Sequence, residues 1–254
     1  MPHHIKTETV SRVLIVRLDR PEKKNALTID MYESMAEALR QGEADADVRA
    51  VLITGTADCF TAGNDLIDFA NAPSGGPSSA IIFLETLAAS EKPVLAAVNG
   101  LAIGIGTTLL FHCDLVYAGA GARFQLPFVN LGLCPEAGSS LILPSLLGHQ
   151  RAAELLFFGE PFSAQTACGL NLINEVFPDD QVFSQAMIKA RQLAEKPPAA
   201  LRATKALLKD SRASLIAEAM HRETERFASL LHGPEAREAI VAFMERRKPD
   251  FSKF

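Results

Sequence analysis

The stretch PVLAAVNGLAIGIGTTLLFHCDLVYAGAGARFQLPFVNLGLCPE, residues 93–136, decides how the chain is read. Pro93 to Val98 is an apolar run of the kind buried on both faces, and it ends at Asn99-Gly100. Gly100, Gly104 and Gly106 space a turn, after which Thr107 to Phe111 opens a helix. Asp114 to Ala118 reads as a second strand, and a loop runs on to Pro135-Glu136. Glycine lets backbone N–H groups at a helix entrance come close to a ligand oxygen. Glu136 has apolar flanks, where desolvation raises a carboxyl pKa. A fixed N–H donor near such a carboxylate suits proton transfer at a carbon next to a carbonyl. Each feature also has a plainer origin. Glycines pack helices onto strands, and Pro followed by Glu suits any helix start.

Working toward the N-terminus, Ala80 to Ala89 reads as a helix, and residues 71–79, NAPSGGPSS, are the most loop-like part of the chain and a candidate lid edge. Ala50 to Thr54 is a short buried strand followed by a loop containing Phe60-Thr-Ala-Gly-Asn-Asp-Leu66. Thr28 can cap a helix with Met31, Met35, Ala38 and Leu39 on its apolar face. Val13 to Asp19 is a β-branched strand that ends at Arg20-Pro21. Arg20, Lys23 and Lys24 form a local basic cluster that is either a solvated face or a seat for phosphate.

Toward the C-terminus helices take over. They are expected over Gly138–Leu147 (with Pro144 kinking or ending it), Gln150–Phe158, Ser163–Cys168, Asp180–Ala194, Ala199–Leu208, Ala213–Leu231 and Glu235–Arg246. A short edge strand fits Leu172 to Phe177. Alternating strands and helices followed by helices alone indicate an α/β core with a helical appendage. No internal repeat stands out from the pattern.

At 254 residues and 48% hydrophobic, the chain can bury a substantial core. Its net charge of −5 gives no basic field for nucleic acid. Cys59, Cys113, Cys134 and Cys168 lack paired spacing, and the six histidines form no metal-ligand pattern. There is no apolar signal core and no apolar run of membrane-spanning length, so a cytoplasmic protein without membrane or metal partners is expected.

Four segments in this order carry a resemblance: R-P-x-x-x-N-A-L (Arg20 to Leu27), F-T-A-G-N-D-L (Phe60 to Leu66), K-P-V-L-A-A-V-N-G (Lys92 to Gly100) and C-D-L-V-Y-A (Cys113 to Ala118). Together with PPAALRATKALLK at 197–209, they resemble the crotonase superfamily of enoyl-CoA hydratases and isomerases. The resemblance implies a spiral of β-β-α turns over residues 1–195 that binds acyl-CoA. Residues 196–254 would form a helical C-terminal trimerisation region. It further implies a homotrimer, with a hexamer as the alternative, and no cofactor beyond the CoA of the substrate. Two backbone N–H groups, mapped to Ala62 and Ile105, would form an oxyanion hole for the thioester oxygen.

Hydratases of this family carry two glutamates that place water. The corresponding positions here are Thr108 and Phe128, so syn-hydration is not expected. Leu131 to Ser140, LGLCPEAGSS, is similar to the L-G-x-x-P-E-x-x-S-S segment of the Δ3,Δ2-enoyl-CoA isomerases, in which the Glu is the sole acid/base. Ile105, where a hydratase has Gly, suits that branch as well. The expectation is a β-oxidation isomerase with Glu136, Ala62 and Ile105 catalytic. Lys24, Ala26, Gly63, Asn64, Asp65, Leu66, Gly106, Phe128 and Leu131 would contact the substrate, with Lys23 or Lys24 meeting CoA phosphates. The alternatives are a dienoyl-CoA or ring-epoxide acyl-CoA isomerase, a weak hydratase, or a non-catalytic acyl-CoA-binding scaffold.

Overall fold

The computed structural model describes residues 4–56, 58–65, 68 and 78–254. The chain starts as a hairpin of β1 (Ile5–Val10) and β2 (Val13–Leu18). Ser11 and Arg12 close it, both at positive φ, the twist a two-residue hairpin requires. The further strands are β3 (Ala50–Thr54), β4 (Val94–Val98), β5 (Leu101–Ile103), β6 (Leu115–Gly119), β7 (Arg123–Gln125), β8 (Phe162–Ser163) and β9 (Glu175–Phe177). The main sheet has the order β1-β2-β3-β4-β6-β9, parallel from β2 onward. A second sheet has the order β5-β7-β8. The chain thus alternates between sheets, β4 to β5 and then β6 to β7, as the spiral of β-β-α turns requires.

The helices are α1 (Ile29–Ala44), α2 (Ser79–Ala88), α3 (Ile105–Thr108), α4 (Ser139–Leu147), α5 (His149–Phe158), α6 (Ala164–Gly169), α7 (Val182–Ala194), α8 (Pro198–Leu231) and α9 (Pro234–Met244). Thr28 caps α1 by accepting from the Met31 N–H, and Met31, Met35, Ala38 and Leu39 are buried as their spacing predicts. β3 and β4 are buried throughout because helices cover both faces. Val51, Ile53, Ala96 and Val98 join the core with α1 and α2, while Ala50, Leu52, Leu95 and Ala97 meet Val182, Ala186 and Ala190 of α7. Each fully buried Leu or Ile contributes roughly 2 kcal/mol by transfer from water.

Several expectations are corrected. β5 and β7 lie where only turn and loop were expected, because three-residue strands show no periodicity. They pair with each other through Leu101↔Arg123, Ala102↔Phe124 and Ile103↔Gln125. α3 begins at Ile105 rather than Thr107 and continues as a 3-10 turn over Leu109–His112. Gln181, without a side-chain bond, stands at the start of α7 in place of Asp180. Pro144 lies inside α4, which runs on to Leu147. The two helices expected over 199–231 are one, α8, because the polar stretch 209–212 contains no Gly or Pro to stop it.

Helix α8 is tied to the core by a buried cation. Lys205, 6% exposed, donates to Asp114 Oδ2 at 2.7 Å and to the Lys92 carbonyl at 2.6 Å. The same Asp114 oxygen accepts the Val94 N–H at 2.7 Å, so one carboxylate joins β4, β6 and α8. All four cysteines are free. Among the described residues, no helix is long and apolar enough to cross a membrane.

Candidate active site

The site forms where consecutive turns of the spiral come together. Thr61 bridges in parallel to Ala102 of β5, with the Thr61 N–H donating to Leu101 O (2.8 Å) and the Ile103 N–H to Thr61 O (3.1 Å). Three residues beyond this pair lie Asn64 on one segment and Ile105 on the other. Gly106 permits the contact, since a Cβ there would lie 2.5 Å from Thr61 Cγ2. Gly104, at φ 56°, turns the chain from β5 into α3. Ile105 is the first residue of α3, and a first-turn N–H has no carbonyl four residues back to bond.

Ala62 does not serve as expected. Its N–H donates to the Lys24 carbonyl at 2.9 Å and is used in holding two loops together. The Gly63 N–H donates to Thr61 Oγ1 at 3.0 Å, and the Asp65 N–H to Leu27 O at 2.9 Å. Among the described residues, no acceptor is recorded for the Asn64 N–H or the Ile105 N–H. These equivalent positions carry the uncommitted donors, and the Ala62 N–H is not among them. The motif F-T-A-G-N-D-L located the loop, but which N–H groups face inward depends on its backbone path.

Glu136 lies across from α3. Its Oε1 accepts the Thr108 hydroxyl at 2.9 Å, and Thr108 is fully buried. Glu136 retains partial exposure as a residue, but protein encloses its carboxyl. Burial raises its pKa from 4.5 to about 7, against the Thr108 bond, which lowers it, with the Glu223 charge raising it further. Tyr32 of α1, 4% exposed, has its pKa raised by burial and then by the Glu136 charge. Its hydroxyl donates to Asn64 Oδ1. Neither Tyr32 nor Glu223 was singled out from the sequence, since each lies on a helix far along the chain from its partners.

The backbone after Glu136 is unusual. Ala137 (φ 60°) and Gly138 (φ 72°) are both left-handed, and the Ser139 hydroxyl donates to the Glu136 carbonyl. His112 Nε2 donates to the Ala137 carbonyl at 2.8 Å. A carbonyl can only accept, so that nitrogen carries hydrogen. Burial lowers the His112 pKa to about 4 and keeps the ring neutral.

The remaining expected contacts divide. Arg20 turns inward, donating to Asp65 Oδ2 (2.8 Å) and Ala26 O (2.9 Å), so it and Asp65 pin the loops and only Lys23 and Lys24 of the basic cluster stay exposed. Asn25, fully buried at φ 54°, donates to Cys59 O (2.8 Å), Phe60 O (3.1 Å) and Thr56 Oγ1 (3.2 Å) and accepts the Arg20 N–H (2.7 Å). Phe128 is a core side chain at 5% exposure, and Leu131 is half-buried in the 3-10 turn Val129–Leu131. Leu66 and most of the 71–79 lid segment lie outside the described residues. A groove of about 550 Å³ lined by Arg12, Arg49, Arg191 and Lys196 opens at the other ends of β2 and β3, away from this site.

A two-sheet spiral with uncommitted N–H groups at Asn64 and Ile105, and an enclosed carboxylate bonded to Thr108 on the same helix as Ile105, is the arrangement of a crotonase-type protein. The chain belongs to the enoyl-CoA hydratase/isomerase family, whose pattern matches residues 8–253. It is 34% identical over 244 residues to human enoyl-CoA delta isomerase 2, covering 91% of this chain and spanning 61% of that protein's length. It is equally 34% identical, over 242 residues, to Escherichia coli 2,3-dehydroadipyl-CoA hydratase, covering 94% of this chain and 95% of the other. A solved enoyl-CoA hydratase/isomerase from Pseudoalteromonas atlantica superposes with a TM-score of 0.93 at 40% identity, covering 98% and 99% of the two chains. Isomerase and hydratase relatives are thus equally similar, and overall identity does not separate the two reactions.

Proposed function

We propose that the protein is a Δ3,Δ2-enoyl-CoA isomerase with Glu136 as its single acid/base. The observation that carries this is the Thr108–Glu136 pair, a hydroxyl where a hydratase would set a second carboxylate beside a carboxyl with a pKa of about 7. Such a pKa suits a group that takes a proton and returns it near neutral pH. Ionised Glu136 removes a proton from C2 of a 3-enoyl-CoA. The negative charge spreads onto the thioester oxygen, which the Asn64 and Ile105 N–H groups receive. One such donor is typically worth about 3 kcal/mol of barrier. Protonated Glu136 then delivers the proton to C4, giving the trans-2-enoyl-CoA. The reaction needs no cofactor beyond the substrate's CoA, whose phosphates are assigned to Lys23 and Lys24.

Exposed Leu207, Leu208 and Leu215 on α8, with Phe243 and Met244 on α9, support assembly as a homotrimer or hexamer. Light scattering of the purified protein tests that assignment. The function itself is tested by supplying a 3-enoyl-CoA to the wild type and to Glu136→Gln. Isomerisation by the wild type and its loss in the variant is expected, and turnover surviving in Glu136→Gln would sink the assignment. Rapid water addition to a 2-enoyl-CoA would favour the hydratase reading instead.

A further inference from the structure

Glu136 sits just ahead of the N-terminus of α4, a place where a carboxylate ordinarily serves the helix. The first-turn N–H groups lack intrahelical acceptors, and the helix dipole adds about half a positive charge there. A glutamate so placed would be expected to fold back, cap α4 and stay firmly ionised. It does not, because those donors are occupied. Glu223, 87 residues later on α8 and 6% exposed, accepts the Gly138 N–H on Oε2 at 2.6 Å and the Ser140 N–H on Oε1 at 2.8 Å. The Ser139 N–H between them is closed by the Glu136 carbonyl at 3.0 Å. The Glu136 side chain is left with the Thr108 hydroxyl.

We propose that Glu223 is a positioning residue: by taking the donors at the head of α4 it keeps the Glu136 carboxylate off its own helix and turned toward Thr108. The inference rests on Glu136 being the base. A bidentate carboxylate also braces the paired left-handed residues Ala137 and Gly138, which set the direction in which Glu136 leaves the backbone. The groups that act on Glu136 from the surrounding elements are Tyr32 of α1, Thr108 of α3, Cys134 two residues before it and Glu223 of α8, with neutral His112 held on the neighbouring Ala137 carbonyl. Cations stand one step further out, Arg226 acting on Cys134 and Lys209 on His112. Glu223 therefore supplies the nearby negative charge while neutralising the positive end of α4. Both effects favour a protonated Glu136.

The test compares wild type, Glu223→Gln and Glu223→Asp by pH profiles of 3-enoyl-CoA isomerisation, by exchange of C2 protons in deuterated water, and by thermal melting. In Glu223→Gln the acidic limb moves down by roughly half to one pH unit, the size of one lost like charge nearby. The plateau kcat falls about tenfold or more as the base is misplaced, with KM within about twofold. Glu223→Asp keeps the charge but is too short to hold both N–H groups, so the limb stays and kcat falls. A lower melting point in Glu223→Gln with an unchanged limb and plateau would make Glu223 a helix cap and overturn the proposal. Should Glu223→Gln fail to fold, an unchanged kcat in Glu223→Asp overturns it equally. Those failures leave Glu136 standing as the base, whereas turnover in Glu136→Gln removes the base and this inference together.

Discussion

The Thr108 hydroxyl donates to Glu136 Oε1 across 2.9 Å, between α3 and the turn that leads into α4. A donor held on an ionised carboxylate stabilises the ionised form by about 1.5–3 kcal/mol. Here the bond opposes burial and lowers a pKa that still stands at about 7. Thr108→Val removes the donor at nearly constant volume. The acidic limb of kcat/KM then moves up by about one pH unit or more. Activity drops several-fold at pH 7 and recovers toward pH 9. An unmoved limb would show that the hydroxyl does not act on the base.

Glu136→Gln is expected to lower isomerisation by about 10²–10⁴-fold, the usual contribution of a positioned acid/base. It should also change stability, with a sign that depends on pH. The folded pKa of about 7 lies above the ordinary 4.5. Between these values the folded chain binds more protons than the unfolded one, so stability falls as pH rises through that window. Glutamine removes the loss. Above pH 7 the variant gains at most roughly 3 kcal/mol, less to the extent that water reaches the carboxyl. Near pH 4 the gain vanishes. Urea unfolding at pH 4 and pH 8 measures both limits.

Ile105→Pro deletes one backbone donor where proline suits the fold. Ile105 is the first residue of α3, and proline is well tolerated there because that N–H has no intrahelical partner. A loss of about 10²–10³-fold in kcat is expected if the N–H binds the developing oxyanion. Ile105→Val keeps the donor and trims the buried side chain, so it should cost stability and little kcat. Equal kcat losses in the two variants would point to packing and not to the N–H.

Asn25→Ala should be the most destabilising single change in the loops around the site. It leaves the Phe60 carbonyl and the Arg20 N–H without their Asn25 partner, while the Cys59 carbonyl loses one donor and keeps the Thr56 N–H. It also puts Ala at φ 54°, which Asn tolerates better. A loss of about 3 kcal/mol is expected from these contributions, read as a lower midpoint in denaturant.

Much of this was legible from residue types. Thr28, Met31, Met35 and Leu39 announced α1, and the apolar runs at 50–54 and 94–98 announced strands covered on both faces. Glu136 was legible because an acidic residue with apolar flanks is conspicuous. Ala62 was expected to offer its N–H to the substrate, but the Lys24 carbonyl takes it. Motif letters identify a loop, but Gly63, at φ 92°, turns the backbone between Ala62 and Asn64, and only that path shows that the Lys24 carbonyl captures the Ala62 N–H. Arg20 looked like a phosphate seat because its inward partner, Asp65, is 45 residues away. Glu223 was invisible for the same reason. In the run His221-Arg-Glu-Thr-Glu-Arg226 it resembles the charged face of any solvated helix.

The contact between Glu223 and the turn after Glu136 also orders events in time. Synthesis runs from the N-terminus, and every strand of both sheets precedes the first residue of α8. A nascent chain can therefore complete its strands, its glycine turn and Thr108 before the carboxylate that caps α4 has been made. Joining positions 136 and 223 closes a long loop, the kind of contact whose entropy must be met before it rewards the fold. On the proposed roles, the residue that orients the base belongs to one of the last elements of the chain to be synthesised.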